Sequence, residues 1–134
     1  MRTMPTKLHA LLDYLIALFS ILSPLIFGFG QGKSETFVPV SFGMLMILYN
    51  FFTDYELSMS REIPMHVHLR IDQLLALFMM GSPWLLGFED VVYLPHLLLG
   101  LALLLSSAFA GNELSMVINA IRHRRWSRLF QIWE

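Results

Sequence analysis

The chain has 134 residues, of which 56% are hydrophobic and 14% are charged. Soluble proteins carry roughly 25% charged residues, and the mean hydropathy of +0.61 is typical of a membrane protein. The formal net charge of -1 suggests no nucleic-acid partner, and the absence of cysteine excludes disulfides and thiolate metal sites.

Four stretches without aspartate, glutamate, lysine or arginine predict four transmembrane helices. A helix needs about 20 residues to cross the ~30 Å hydrocarbon core, and the third stretch reaches that length only if it includes Asp72. We therefore predict an all-α, polytopic membrane protein. Its helices are expected over residues 6–29, 37–57, 66–88 and 92–112.

The distribution of basic residues predicts the orientation of these helices. Of the nine lysines and arginines, only Lys33 lies in a loop that follows the first or the third helix. The others flank the N-terminus, the middle loop and the C-terminus. Because basic residues are enriched on the cytoplasmic side, both termini and the middle loop are expected in the cytoplasm.

The first predicted helix carries a histidine and an aspartate one turn apart, His9 and Asp13. Side chains four residues apart lie on one helical face, and in a membrane a polar face is expected to turn towards other helices. Near the far end of the helix, Ser23 precedes Pro24, and Gly28 lies on the same face. Proline removes one backbone hydrogen bond, so we expect the serine hydroxyl to satisfy the carbonyl that is left.

The third predicted helix repeats the first at a distance of 59 residues. His68 and Asp72 match the histidine and the aspartate of the first helix, and "SP" and "GF" recur further along. The other matching residues are Ser82, Pro83 and Gly87.

The second and fourth predicted helices match at a shift of 57 residues, which pairs Gly43 with Gly100 and Glu56 with Glu113. Glycine allows neighbouring helices to approach closely, and the two glutamates are expected at the cytoplasmic helix ends. His96, near the outer end of the fourth helix, is expected to be an interfacial residue.

Each half of the chain is therefore predicted to be a two-helix hairpin, with both hairpins entering from the cytoplasm. Parallel repeats of this kind imply a pseudo-twofold axis along the membrane normal. The predicted boundaries are residues 1–63 for the first repeat, 64–116 for the second and 117–134 for a tail.

The tail combines basic and aromatic residues at helical spacing. This pattern favours an amphipathic helix in the cytoplasmic headgroup layer, with the aromatic side chains inserted and the arginines on anionic lipid. A helix that docks on a partner protein is the alternative. The residues concerned are Arg124, Arg125, Trp126, Arg128, Phe130 and Trp133.

The segment "SPWLLGF" at residues 82–88, preceded by His68 and Asp72, resembles the SPW-repeat family of small prokaryotic integral membrane proteins. The resemblance covers both halves, about residues 6–59 and 65–116. It implies two transmembrane helices per repeat and a location in the prokaryotic plasma membrane, and it implies no particular biochemical activity.

The first copy departs from the family motif at one position. Leu25 stands where the family has its tryptophan, so the role of that residue rests on Trp84 alone. Trp84 is expected to anchor the helix at the outer membrane interface, and a ligand-binding aromatic residue is the alternative.

Three hypotheses remain open for the ionisable residues near the cytoplasmic end. They form a satisfied polar clasp in a structural or interaction subunit, a pathway for protons or cations, or a metal site. The group comprises His9, Asp13, Glu56, His68, Asp72 and Glu113, and the metal hypothesis uses His9, Asp13, His68 and Asp72.

No nucleophile–base pair, phosphate-binding loop or cofactor fingerprint appears in the sequence, so we expect no enzymatic activity. We also expect no cofactor, apart from the metal ion of the third hypothesis. The expected partners are the lipid bilayer and either a second copy of the chain or another membrane protein, and nucleic acid is not expected.

Overall fold

The computed structural model describes residues 4–29, 33–53 and 62–111, and this part of the chain contains four helices and no strands. The predicted all-α class is confirmed. The helices are α1 (Thr6–Phe27), α2 (Ser34–Phe52), α3 (Met65–Leu86) and α4 (Leu94–Ala110).

The four helices surround a common axis. α1 packs chiefly on α2 and α3 chiefly on α4, and the two pairs meet where α1 contacts α4 and α2 contacts α3. α1 and α3 therefore lie diagonally opposite each other. Contacts join the start of α1 to the end of α4 and the end of α2 to the start of α3, so successive helices run antiparallel.

Two glycines determine how closely the helices of each pair approach. A Cβ atom at Gly43 would collide with the carbonyl oxygen of Ala17, and one at Gly100 would lie 2.6 Å from the carbonyl oxygen of Ala76. Because hydrogen replaces a side chain at both positions, α2 rests directly on the backbone of α1, and α4 on that of α3.

The Ser-Pro pairs behave as expected from the sequence. Pro24 deprives the Ser20 carbonyl of its helical donor, and the Ser23 hydroxyl donates to that oxygen at 2.8 Å. In α3 the Ser82 hydroxyl donates at 2.9 Å to the carbonyl of Met79, which lies four residues before the proline. Each proline-containing helix thus keeps the freed carbonyl satisfied within its own turn.

α1 and α3 both end two residues before the predicted boundary, and for the same reason. Gly28 and Gly87 follow these helices with φ angles of 70° and 69°, in the left-handed region that glycine adopts without strain. Their amides donate to the carbonyls of Pro24 and Pro83.

Buried and exposed side chains are distributed as in a membrane protein. Large apolar side chains on all four helices are exposed, among them Leu25 at 81% and Leu74 at 69%. The interior contains fully buried polar side chains as well as apolar ones. This arrangement is favourable in a lipid bilayer, because polar side chains can form hydrogen bonds only with other helices and not with lipid.

Among the described helices, α1 and α2 are long and apolar enough to cross a membrane, and α4 is apolar but shorter at 17 residues. The prediction of four membrane spans therefore stays a prediction. Glu56, Glu113 and the tail over residues 117–134 lie outside the described residues.

Candidate functional site

Four ionisable side chains meet on the bundle axis at the end where α1 begins. His9 and Asp13 come from α1, and His68 and Asp72 come from α3; all four are fully buried. We call these four residues the His/Asp cluster. They include every predicted cluster residue that the structure describes.

The two histidine–aspartate pairs form one group rather than two. His68 Nε2 lies 3.0 Å from Asp13 Oδ2 and 3.2 Å from Asp72 Oδ2. His9 Nε2 lies 3.3 Å from each of the same two oxygens. Each imidazole therefore contacts the aspartate of the opposite repeat as closely as its own.

A hydroxyl group lies against the other nitrogen of each imidazole. His9 Nδ1 is 2.8 Å from Ser106 Oγ, and His68 Nδ1 is 2.8 Å from Thr53 Oγ1. The Thr53 hydroxyl donates its own hydrogen to the Tyr49 carbonyl at 2.9 Å. Its oxygen must therefore accept from His68, which places a hydrogen on His68 Nδ1.

The end of α2 completes the surroundings of the cluster. The Tyr49 hydroxyl donates to Asp72 Oδ1, and the Tyr49 ring lies 5.0 Å from that of His68. The carbonyl of Phe52, the last residue of α2, accepts hydrogen bonds from the amides of Glu62 and Ile63 at 3.0 and 2.8 Å. These bonds hold the backbone on both sides of the connection next to Thr53.

Sequence reasoning missed three residues of the site, Tyr49, Thr53 and Ser106. The 57-residue register that pairs Gly43 with Gly100 also pairs Tyr49 with Ser106. Both side chains bear hydroxyl groups and both contact the cluster. The 57-residue repeat could therefore have indicated Tyr49 and Ser106 as site residues. It could not have indicated Thr53, because the matching residue is an alanine.

Besides His9 Nε2 and Asp72 Oδ2, two further buried polar groups on α1 and α2 have no hydrogen-bond partner among the described residues. One is Asp13 Oδ1 and the other is the side-chain amide of Asn50, which is fully buried. Burying a polar group without a partner costs free energy, so Asp13 Oδ1 marks where the cluster has unused binding capacity.

An apolar layer separates the cluster from the opposite end of the bundle. Met46, Met79 and Leu103 are fully buried, and in α4 Leu103 lies between His96 and Ser106. Ser20, on the stretch of α1 between Asp13 and Pro24, is also fully buried, and its hydroxyl donates to the Pro39 carbonyl at 2.8 Å.

His96, predicted to be an interfacial residue, lies in the first turn of α4 and is enclosed rather than exposed. Its side chain is fully buried, with ring centroids 5.7 Å from Phe29 and 5.0 Å from Phe88. The segments that follow α1 and α3 bring these two rings over the start of α4, and this covering excludes solvent and lipid from the imidazole.

Trp84 is exposed, at 54%, and its ring lies 5.9 Å from that of Tyr93. Exposure and a tyrosine neighbour are typical of an interfacial anchor. The anchor role stays a prediction, as does the alternative of a ligand-binding aromatic residue.

A family model described as the SPW repeat domain matches residues 7–110 of the chain. The matched segment includes the whole His/Asp cluster and nearly all of the four helices. No curated protein and no solved structure matches the chain.

Proposed function

This chain belongs to the SPW repeat family, and on that premise we propose that it is a structural or interaction subunit of the prokaryotic plasma membrane. In this proposal two tandem hairpins cross the membrane four times, and the His/Asp cluster fastens them together. The contribution of one histidine and one aspartate by each hairpin is the observation that carries the proposal.

The internal correspondence of the two halves supports a tandem duplication. Ser23 and Ser82 make the same bond to the carbonyl freed by proline, and Gly43 and Gly100 make the same close approach. Equal hairpins inserted in the same sense would be related by an axis along the membrane normal.

The proposed topology places both termini in the cytoplasm, with the His/Asp cluster at the cytoplasmic end. We expect a reporter that is active only outside the cytoplasm to be active when inserted after residue 32 and inactive at the C-terminus. A reporter that is active only in the cytoplasm should give the opposite result. The physical reason is the excess of arginine and lysine around the termini and the middle loop. A C-terminal reporter on the outer side would contradict the proposed topology.

The clasp proposal rests on the cost of placing ionisable groups in lipid. A lone carboxylate or imidazolium within a membrane is expensive, but the four groups here contact one another and are shielded from the outside. Bringing the hairpins together is what creates this environment. Separation of the hairpins would expose all four groups to lipid.

Proton or cation transport is the second candidate, and one observation favours it. Four ionisable side chains in contact offer more than one place for a proton, and the Tyr49 hydroxyl, bonded to Asp72, adds another polar hydrogen. The apolar layer of Met46, Met79 and Leu103 argues against a continuous path among the described residues.

A flux measurement distinguishes the two candidates. We expect proteoliposomes with the wild-type protein to show no more proton or cation flux than protein-free vesicles, because the apolar layer interrupts the polar groups. The doubly substituted His68→Ala/Asp72→Ala protein should behave identically. Flux that is present in the wild type and absent from the double variant would establish transport instead.

A further inference from the structure

We propose that the His/Asp cluster binds one divalent transition-metal ion with tetrahedral preference, of which zinc is the representative. The inference deepens the clasp proposed above, because it names the species that neutralises the carboxylates. His9, Asp13, His68 and Asp72 would each supply one ligand atom, and these four atoms lie within 4.8 Å of one another.

The spacing of the ligand atoms fits a tetrahedral ion. Four atoms placed about 2.0 Å from a central zinc, at the corners of a tetrahedron, lie roughly 3.3 Å from each other. The four contacts between an imidazole Nε2 and a carboxylate Oδ2 measure 3.0, 3.2, 3.3 and 3.3 Å. These four nitrogen–oxygen distances match edges of such a tetrahedron, and every pair among the four ligand atoms lies within 4.8 Å.

His9 supplies the observation that separates a metal site from an ordinary hydrogen-bonded pair. Its Nε2 is equally distant from the two carboxylate oxygens, and it makes a hydrogen bond to neither. Asp72 Oδ2 likewise accepts no hydrogen bond from the described residues. Of the four ligand atoms, His68 Nε2 and Asp13 Oδ2 are hydrogen-bonded to each other at 3.0 Å, whereas His9 Nε2 and Asp72 Oδ2 are buried without a hydrogen bond. A cation between the four atoms would satisfy the two that have no hydrogen bond.

The hydroxyl groups around the cluster orient the two imidazoles as metal ligands. Metal-binding histidines usually donate their second N–H to an oxygen, and this fixes the tautomer and the ring orientation. Thr53 accepts from His68 Nδ1, which leaves His68 Nε2 to face the centre. Ser106 lies in the equivalent position at His9 Nδ1, and Tyr49 donates to the outer oxygen of Asp72.

Charge selects a divalent ion. With both imidazoles neutral, the two carboxylates carry two negative charges into a bundle whose outer surface is apolar. One divalent cation makes the group neutral, and a neutral group is far less costly to bury. Two protons, one on each imidazole, give the same net charge and are the competing occupants.

Ligand type and distance narrow the choice of metal. Calcium takes six to eight oxygens at about 2.3–2.6 Å and magnesium prefers octahedral oxygen coordination, whereas this group offers two nitrogens and two oxygens at closer spacing. Mixed imidazole and carboxylate ligands in a tetrahedron suit zinc.

The test uses the full chain, purified in detergent with a tag that contains no histidine and stripped with a chelator. On addition of zinc we expect about one tightly bound ion per chain by elemental analysis. Substitution with cobalt(II) should give the intense visible absorption of a tetrahedral site, and millimolar magnesium or calcium should not displace the ion. These measurements on the wild type need no variant.

Variants then assign the site. Asp13→Asn and His68→Gln should abolish stoichiometric binding, and Thr53→Val should weaken the affinity about 10- to 100-fold by removing the acceptor from His68. His66→Ala is the matched control, because this histidine lies in the same helix but is exposed. It should bind zinc as the wild type does.

Two outcomes would overturn the metal site. One is substoichiometric zinc with no tetrahedral cobalt spectrum in a protein that melts at the same temperature with and without metal; the cluster would then hold protons only. The other is binding that His66→Ala removes and His68→Gln retains. Neither result would contradict the clasp proposal. That proposal is contradicted only if substitutions in the His/Asp cluster leave the stability of the protein unchanged.

Discussion

Asp13→Ala is expected to lower the free energy of unfolding by about 3–5 kcal/mol, because it removes one partner of a buried histidine–carboxylate pair and leaves the other partner uncompensated. Asp13 lies 3.0 Å from His68 across the bundle axis, and both side chains are fully buried. His68→Ala should cost a similar amount. The measurement is reversible unfolding in mixed micelles, followed by circular dichroism.

The double variant Asp13→Ala/His68→Ala provides the sharper test. If the two residues stabilise the fold through their mutual contact, the double variant should lose less than the sum of the single losses, by about 0.5–3 kcal/mol. Asp90→Ala is the matched control, since it removes an exposed carboxylate outside the helices and should change stability by less than about 0.5 kcal/mol. Single variants as stable as the control would contradict the clasp.

Gly43→Ala and Gly100→Ala are expected to destabilise the bundle by about 1–3 kcal/mol each, because a methyl group at either position overlaps atoms of the neighbouring helix. At Gly43 the new carbon would collide with the Ala17 carbonyl and lie 2.7 Å from Ile21 Cγ1. At Gly100 it would meet the Ala76 carbonyl oxygen at 2.6 Å. Backbone atoms cannot move aside as a flexible side chain can, so the helices must separate.

Gly81→Ala is the control for this effect. Gly81 also lies inside a helix, yet nothing is within 4 Å of an added Cβ atom. Its substitution should be neutral or stabilise the protein by up to about 1 kcal/mol, because alanine favours the helix over glycine. Equal effects at Gly43 and Gly81 would mean that helix propensity, and not the close approach, determines the result.

Helix interiors and local chemistry were predictable because they depend on short segments of the chain. The absence of charges over four stretches predicted four helices, and the structure has all four. The second differs most from its prediction of 37–57, since α2 runs over Ser34–Phe52 and Thr53 is already extended. The serine before each proline predicted a bond to the freed carbonyl, which both serines make. The helix ends differ where a glycine in the left-handed conformation stops the helix early.

The His/Asp cluster was only partly predictable. The 59-residue repeat identified His9, Asp13, His68 and Asp72 and predicted that both pairs face the bundle interior. Which imidazole contacts which carboxylate depends on how far α1 and α3, two diagonal helices, are rotated and separated. The rotation and the separation of these two helices are determined by their packing against α2 and α4. Helical periodicity alone gives no information about that packing.

The sequence by itself determined the helices, the two matching halves and the residue types that avoid lipid, because hydrophobicity and spacing are properties of single helices. Only the tertiary structure decided that the two His/Asp pairs merge into one group, that hydroxyls of Thr53 and Ser106 support it, and that His96 is enclosed by two phenylalanines. Each of these features joins residues from different helices. Their contacts arise only when all four helices pack together.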